Sequence, residues 1–277
     1  TRHAGDRIGD GLLYGLTALA AIIGVLVVFA IIWRVADGAW PAIKAYHLSF
    51  LWHNQWNAVL NKFGARDFII GTVVTSFGAM LLAAPLSVAI GLFLSELAPP
   101  WVRTPIGTLV DMLAAVPSVV IGLWGIYVLA PFDAQHVQPF LITIFGHVPV
   151  LSTLFEGPPY GIGILTAGLI LAIMVLPFIT SISRDVFEAV PPVLKEAAYG
   201  LGCTTWEVAR YVVLPFTRVG VIGGVMLGLG RALGETMAVT FVIGNAHHLS
   251  GSILAPGTTI SATIDPEFNE AVGDLST

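Results

Sequence analysis

Hydrophobic positions along this chain form long continuous runs, unlike the short amphipathic periods of a soluble domain. Five runs are long enough to cross about 30 Å of hydrocarbon, which takes roughly 20 helical residues. They cover residues 11–33, 68–95, 112–132, 157–183 and 219–243. The first four runs lack charged residues, whereas the last is interrupted by Arg231 and Glu235. The pattern predicts an all-α polytopic transmembrane bundle with five visible spans.

Residues 134–155 are also uncharged, but their composition differs from that of the five runs. The segment contains Gln135, His136, Gln138, Gly146, His147 and Pro149. The segment is therefore predicted to be extramembrane or re-entrant.

The distribution of Lys and Arg indicates the orientation, because cytoplasmic loops carry the excess of these residues. With the N-terminus inside, the outer segments hold three such residues, Lys44, Lys62 and Arg66, with Arg34 at the border. The cytoplasmic segments then hold Arg2, Arg7, Arg103, Arg184, Lys195, Arg210 and Arg218. The count favours a cytoplasmic N-terminus.

Composition agrees with a membrane protein and excludes several other classes. Of 277 residues, 56% are hydrophobic and 10% charged, whereas about a quarter of a soluble domain is charged. The net charge of −5 and the lack of a basic tract give no sign of a nucleic-acid partner. Cys203 is the single cysteine, so an intrachain disulfide is excluded. The histidines do not have the spacing of a metal site, and no metal is predicted.

Aromatic residues are frequent in the outer loop 36–66. The rings of Trp40, Tyr46, Trp52 and Trp56 favour the headgroup level of a bilayer, which predicts interfacial anchoring. A docking surface for an extracytoplasmic partner is the alternative.

The loop 184–218 is the most charged part of the chain and predicts two short helices. The stretch VPPVLKEAAYGLG has proline in its first turn and Gly200 or Gly202 beyond its end. In TTWE, Thr204 and Glu207 form a predicted capping box that starts a second helix, ended near residue 213 by Pro215. The loop is either a compact knob that transmits motion or an ordinary loop on the bilayer surface.

The same loop resembles the EAA signature of ABC importer permeases, E-A-A-x3-G-x9-I-x-L-P, with Val212 at the Ile position. In that family the loop docks on the ATPase subunit, so the resemblance implies an ATPase contact here. The matching residues are Glu196, Ala197, Ala198, Gly202, Leu214 and Pro215. A P-loop needs lysine followed by Ser or Thr, and Lys44, Lys62 and Lys195 are not. The chain is therefore expected to take its energy from a partner or an ion gradient.

Arg231 lies about 13 residues into the last run, roughly 20 Å deep at ~1.5 Å per residue. Gly220, Gly224 and Gly228 recur every four residues and predict a ridge for close helix packing. Continuing this stripe places Arg231 and Glu235 on the same face, away from lipid. Either the two charges neutralise each other at i,i+4 and hold helices together, or they line a route where the guanidinium attracts an anion.

The stretches GLGRALGETMAV and LAAVPSVVIGLWG are similar to those of Pst-type phosphate ABC importers, specifically their C permease subunit. The A subunit usually continues its GET motif with Ala-Pro, where this chain has Met237-Ala238. The resemblance extends from the first span to FNEAVGD. It implies that Arg231 and Glu235 match the intramembrane charged pair implicated in phosphate passage. It also implies a sixth span beyond the given C-terminus.

Pro117 and Ser118 fall in the third run, where proline is expected to bend the helix and free a carbonyl. Ser118 is a candidate for the substrate pathway, with packing alone as the alternative. Asp111 is expected at the cytoplasmic boundary or at the ATPase.

Together these features predict a single permease domain over residues 1–277. It comprises an N-terminal span 11–35, outer loop 36–66, core spans 67–183 and 219–244, coupling loop 184–218 and outer tail 245–277. The resemblance implies a multi-pass protein of the bacterial cytoplasmic membrane that imports phosphate by alternating access. Its implied partners are the A subunit, an ATPase dimer, an extracytoplasmic phosphate-binding protein and lipid. The chain is expected to bind no cofactor and catalyse no reaction, with ATP and Mg on the ATPase.

Three other functions stay open at this point. A permease for sulfate or molybdate would share the fold. A proton-coupled secondary anion transporter would use Glu235 as proton carrier. A nontransporting sensor would use the loop to bind a regulator.

Overall fold

The protein is a helical bundle, seen in a computed structural model that describes residues 4–57, 62–149 and 151–270. Ten α-helices and one 3-10 helix, His47–Leu51, occur in these ranges, and the one β-type contact found there is an isolated bridge between Asn57 and Lys62. The helices are α1 (Ala4–Tyr46), α2 (Arg66–Leu97), α3 (Pro100–Ala114), α4 (Ser118–Phe145), α5 (Leu151–Leu154), α6 (Ile164–Glu188), α7 (Pro192–Gly200), α8 (Thr205–Leu233), α9 (Met237–Val242) and α10 (Ile260–Glu270).

Five of these helices are long and apolar enough to cross a membrane, as predicted: α1, α2, α4, α6 and α8. Residues 1–3 and 271–277, which the sequence analysis assigned to a cytoplasmic N-terminus and an outer tail, lie outside the described ranges. The all-α class is therefore confirmed, while several boundaries differ from the prediction.

Pro131, Pro139 and Pro215 do not end the helices where the sequence rules expect, because a π-helical turn precedes each of them. The residue before Pro215 donates its N–H to the carbonyl of Ala209, five residues back, and the residue before Pro131 does the same to Gly125. A proline ring clashes with the carbonyl four residues earlier, and the wider turn relieves that clash. The same arrangement precedes Pro139. Proline is thus accommodated inside long helices.

One prediction was wrong for this reason. The short helix expected to end at Pro215 continues without a break as α8 to Leu233. The segment 134–155, predicted to be extramembrane or re-entrant, is helical as far as Phe145, where α4 ends, and its position relative to a membrane stays a prediction. The predicted coupling loop 184–218 accordingly shrinks to residues 189–204 between α6 and α8.

The third span also begins later than predicted. Residues 115–117 leave the helical conformation, and Pro117 has an extended ψ of 136° ahead of the first turn of α4. Pro117 therefore does not bend a helix but separates α3 from α4. Residues 112–114 belong to α3, whose Asp111 lies 3.6 Å from the Arg184 guanidinium near the end of α6.

α6 is the central helix of the bundle. Of its most apolar stretch 67% is buried, compared with 39% or less in the other four candidate spans. It packs antiparallel to α8 through the predicted glycine ridge. A Cβ added to Gly220 would lie 2.6 Å from Val186, and one added to Gly224 would lie 2.9 Å from Ile182. The close approach confirms that these glycines allow helix contact.

Residues 243–257 fold over the N-terminal ends of α2 and α6. The N–H of Gly163 donates to the Val242 carbonyl, and the N–H of Leu165 donates to the Ile253 carbonyl. The buried Asp67 carboxylate, at the start of α2, accepts from the Leu249 N–H at 3.1 Å. The described part of the predicted outer tail is therefore packed, and Ala262 of α10 is fully buried in the main core.

The predicted aromatic group of the outer loop is divided in the structure. Trp52 is 77% exposed, whereas Trp56 packs edge-on against Phe63 and Phe68. Trp40 lies on the exposed surface of α1, which buries none of its most apolar stretch within this chain. Only part of the group is thus free to meet headgroups or a partner.

Candidate functional site

Arg231 lies level with the middle of α6. A Cβ added to Gly228, three residues earlier, would lie 2.6 Å from Ile179 Cδ1 and 3.0 Å from Val175 Cγ1. Both residues are in the central turns of α6, which has 25 residues. Three residues add about 4.5 Å along a helix, so the Arg231 Cα is close to the midplane of α6.

The helix carrying Arg231 ends immediately after it. α8 stops at Leu233, residues 234–236 are non-helical, and α9 starts at Met237. Gly234 caps α8 by donating its N–H to the Gly230 carbonyl at 3.2 Å. An interrupted helix at this depth is tolerated where the free backbone groups face protein or a water-filled cavity.

The predicted i,i+4 arrangement of Arg231 and Glu235 was wrong. Glu235 lies in the break, and Arg231 forms no ion pair with it among the described residues. The Glu235 carboxylate instead accepts from the Ala238 N–H at 3.4 Å, at the start of α9. The glycine stripe continues into buried Ala232, 3% exposed, while Arg231 is exposed on this chain.

Ser118 is at the same level as this break. A Cβ added to Gly122 of α4 would lie 2.9 Å from the Ala238 Cα, and one added to Gly125 would lie 3.0 Å from Val242 Cγ1. α4 and α9 therefore run parallel, and the first turn of α4 packs beside the first turn of α9. Ser118, half-buried, is one helical turn before Gly122 and so lies next to the 234–236 break.

Two chain breaks thus meet at the centre of the bundle, one before α4 and one before α9. The first N–H groups of a helix have no intrahelical partner and carry partial positive charge. Those of α4 lie beside residues 234–236, because Gly122 packs against Ala238, and this break contains Glu235 and follows the helix end that carries Arg231. The arrangement suits an anion held by positive groups and released in the presence of a carboxylate.

The two short helices and the glycine turn predicted for the loop 184–218 are formed as expected up to Glu207; residues 189–208 are called the knob below. Pro192 is the first residue of α7, and Gly202 follows its end with a left-handed φ of 87°. Both halves of the capping box are present: the Glu207 N–H donates to Thr204 Oγ1, and the Thr204 N–H donates to the Glu207 carboxylate at 2.7 Å. These contacts make residues 189–208 a compact unit.

The residues of the predicted coupling motif divide by exposure. Glu196, Ala197 and Gly202 are exposed on the knob, whereas Ala198 packs beneath them in a buried cluster with Phe187. Leu214 is half-buried and Pro215 exposed, both within α8. The motif therefore combines an outward surface with the contacts that support it.

Sequence reasoning missed two features of this region. The first is an apolar surface around the motif, in which Val193 is 71%, Leu201 87% and Trp206 58% exposed. The second is an ion pair between Lys195 and Glu96, with Nζ and Oε1 2.6 Å apart. Glu96 is an isolated acidic residue at the end of an apolar run. This position is the feature of the sequence that could have indicated a partner for its charge.

Comparison with known proteins gives a consistent result. Residues 87–262 match the family described as binding-protein-dependent transport system inner membrane component. A relative from Mesorhizobium japonicum named "Phosphate transport system permease protein PstC" is 57% identical over 97% of this chain and 82% of its own length. Relatives with the same name are 54% identical in Pasteurella multocida, over 99% of this chain and 85% of theirs, and 49% identical in Haemophilus influenzae, over 95% and 84%.

Proposed function

We propose that this chain, which belongs to the family of binding-protein-dependent transport system inner membrane components, is the permease subunit of an ATP-driven importer of inorganic phosphate. The observation that carries the proposal is the identity above 50%, over nearly the whole chain, to relatives named as phosphate transport permeases. The helical bundle with five membrane-capable helices agrees with a multi-pass subunit of the inner membrane.

Phosphate passes the midplane at the two chain breaks. In this role the Arg231 guanidinium binds a phosphate oxygen, and Ser118 and the free N–H groups of α4 offer further donors. Glu235 repels the anion and so prevents Arg231 from retaining it. The support is the position of these groups, level with each other and with the centre of α6.

The exposed knob is the surface that a partner ATPase contacts. Glu196, Ala197 and Gly202 are the exposed residues of the motif on this surface, and Leu201 and Trp206 add apolar area of the kind that marks protein contacts. Ala198 and Leu214 pack in the apolar cluster that supports the knob, and exposed Pro215 follows Leu214 in α8. The other partners are a homologous A-type permease subunit, an extracytoplasmic phosphate-binding protein and membrane lipid.

Transport follows alternating access, in which the route between the breaks opens to one side at a time. Closure of the ATPase dimer moves the knob, and the bundle transmits this movement to the breaks. This chain catalyses no reaction and holds no cofactor; ATP and Mg are bound by the ATPase subunits. The N-terminus and the knob are cytoplasmic, in agreement with the Lys and Arg distribution.

The test is uptake of labelled phosphate into vesicles that contain this chain with its partner subunits and phosphate-binding protein. Uptake that requires ATP, and that excess sulfate or molybdate does not compete away, is the expected result. Uptake driven by a proton gradient without ATP would contradict the proposal and favour a secondary transporter. Normal assembly without any flux would favour a sensor.

A further inference from the structure

A buried ion pair joins the knob to the cytoplasmic end of α2. Lys195 Nζ donates to Glu96 Oε1 at 2.6 Å and lies 3.5 Å from the Phe187 carbonyl oxygen. Only 7% of the Glu96 side chain and 20% of the Lys195 side chain are exposed. By comparison, the side chains of the Arg103–Glu188 pair on the same face are 42% and 43% exposed.

Three elements meet at this contact: α7 through Lys195, α2 through Glu96 and α6 through the Phe187 carbonyl. Lys195 directly precedes exposed Glu196. The remaining support of α7 is apolar, with Ala198 packed in the cluster of Leu92 and Phe187. Apolar surfaces can slide past each other, whereas a short charged hydrogen bond fixes the distance between two elements.

A gain in the stability of the fold does not explain why a charged pair occupies this site. The free-energy cost of removing two charges from water offsets much of the attraction between them. Well-packed apolar residues of similar volume often stabilise a fold at least as well. A buried ion pair does specify relative position, because displacing either member leaves an unpaired buried charge.

From Glu96 a continuous set of contacts leads to the candidate path. α2 contacts the centre of α6, where the Ser87 hydroxyl donates to the Leu176 carbonyl at 3.0 Å. The neighbouring Val175 packs against Gly228 of α8, three residues before Arg231. A displaced α2 end would therefore act on the helix that carries the break.

We propose that the Lys195–Glu96 pair is the positioning contact through which movement of the knob displaces α2 and reaches the breaks. The proposal rests on the proposed function, since it takes the surface around Glu196 as the ATPase contact. Neither residue touches phosphate; the pair acts through α2, α6 and α8.

The experiment uses the whole complex in vesicles and measures phosphate imported per ATP hydrolysed. Lys195→Met and Glu96→Gln each lower this ratio about ten-fold, within the range typical of coupling between sites, while the ATPase subunits stay bound. Arg103→Met is the matched control, because it removes an ion pair of the same face that does not include α7, and it leaves the ratio unchanged.

The charge-swapped variant Lys195→Glu with Glu96→Lys distinguishes positioning from packing. Recovery of at least half of the wild-type ratio supports the proposal, whereas a ratio as low as in the single variants contradicts it. Single variants with the wild-type ratio also overturn it. Absence of ATP-dependent phosphate uptake in the wild-type complex would count against the proposed function and not against this contact.

Discussion

Arg231 is a cation at the depth where burial of charge in lipid is least favourable. Its cost at the centre of a helix is at least about 2.5–3.5 kcal/mol on insertion scales. On this chain its side chain is exposed and has no carboxylate partner among the described residues. A second subunit or a water-filled route must therefore cover it in the membrane, and both agree with a role in transport.

Arg231→Gln should lower phosphate uptake by about 10- to 100-fold, because a hydrogen bond to a charged group contributes about 1.5–3 kcal/mol. Assembly should be unaffected, since Arg231 forms no ion pair with another residue in the part of the chain that the structure describes. The measurement is uptake by purified complexes at equal protein. Arg218→Gln, at an exposed site in the middle of α8 and 13 residues before Arg231, is the control. Wild-type uptake by the Arg231 variant would exclude the guanidinium from the path.

Glu235→Gln separates the charge of this residue from its hydrogen bond. The amide oxygen of Gln can still accept from the Ala238 N–H, so α9 should form and the complex should assemble. We expect slower uptake with tighter phosphate binding, because the repelling charge is lost. Binding and uptake of labelled phosphate are measured on the same preparation. An unassembled complex would show that the carboxylate is needed for folding.

At the scale of helices, apolar runs and local start signals were sufficient to predict much of the bundle. All five spans were found, and the Thr204–Glu207 capping box was identified because both halves are local. The predicted helix boundaries were wrong where a proline lies inside a longer helix. A π-helical turn is a rearrangement of hydrogen bonds over several residues, and no residue type at Ala209–Val213 signals it.

Gly228→Ala should destabilise the bundle by about 1–3 kcal/mol through overpacking. The new Cβ would lie 2.6 and 2.7 Å from two atoms of Ile179, a fully buried side chain that cannot move away. Gly223→Ala on the same helix meets nothing within 4 Å and should be neutral or stabilising by about 0.5–1 kcal/mol. Thermal unfolding midpoints in detergent compare the two. Equal midpoints would show that the α6–α8 contact is loose.

Gly202→Ala tests the turn of the knob. A Cβ there meets nothing within 4 Å, so the cost is the left-handed φ of 87° alone, about 1–3 kcal/mol. Gly200→Ala also meets open space but is helical, and it is the matched control. We expect the first variant to hydrolyse ATP with about five-fold less phosphate moved per ATP, and the control to behave as wild type. If the Gly202 variant moves as much phosphate per ATP as the wild type, this turn does not transmit force.

At the scale of the whole molecule, the site could be predicted in its residues but not in its geometry. Arg231 and Glu235 attract notice because charge is rare in apolar runs. Their separation by a helix end was not predictable, since it depends on Gly234 and on the contact of α9 with α4. The placement of Ser118 beside the break likewise depends on Gly122 packing against Ala238, two residues far apart in sequence.

α1 packs little against the rest of this chain. From Gly9 onward most of its apolar side chains are exposed, so it contributes little to the core of this subunit. The bundle around α6 holds the breaks, the knob and the contacts between them. In the proposed transporter, other subunits complete the walls of the route, and the knob controls its opening.

The most direct measurement is the accessibility of the break from each side of the membrane. Cys203, the single cysteine, is replaced by Ser, and Thr236→Cys is introduced at the break in the assembled complex. A membrane-impermeant maleimide is applied from either side, without nucleotide and with ATP trapped in a hydrolysis-deficient ATPase. Ile222→Cys, on the exposed surface of α8, is the control and should stay unlabelled.

Alternating access predicts labelling of Thr236→Cys from one side without nucleotide and from the opposite side with ATP. Labelling from both sides in one state, or from neither side in both states, would contradict it.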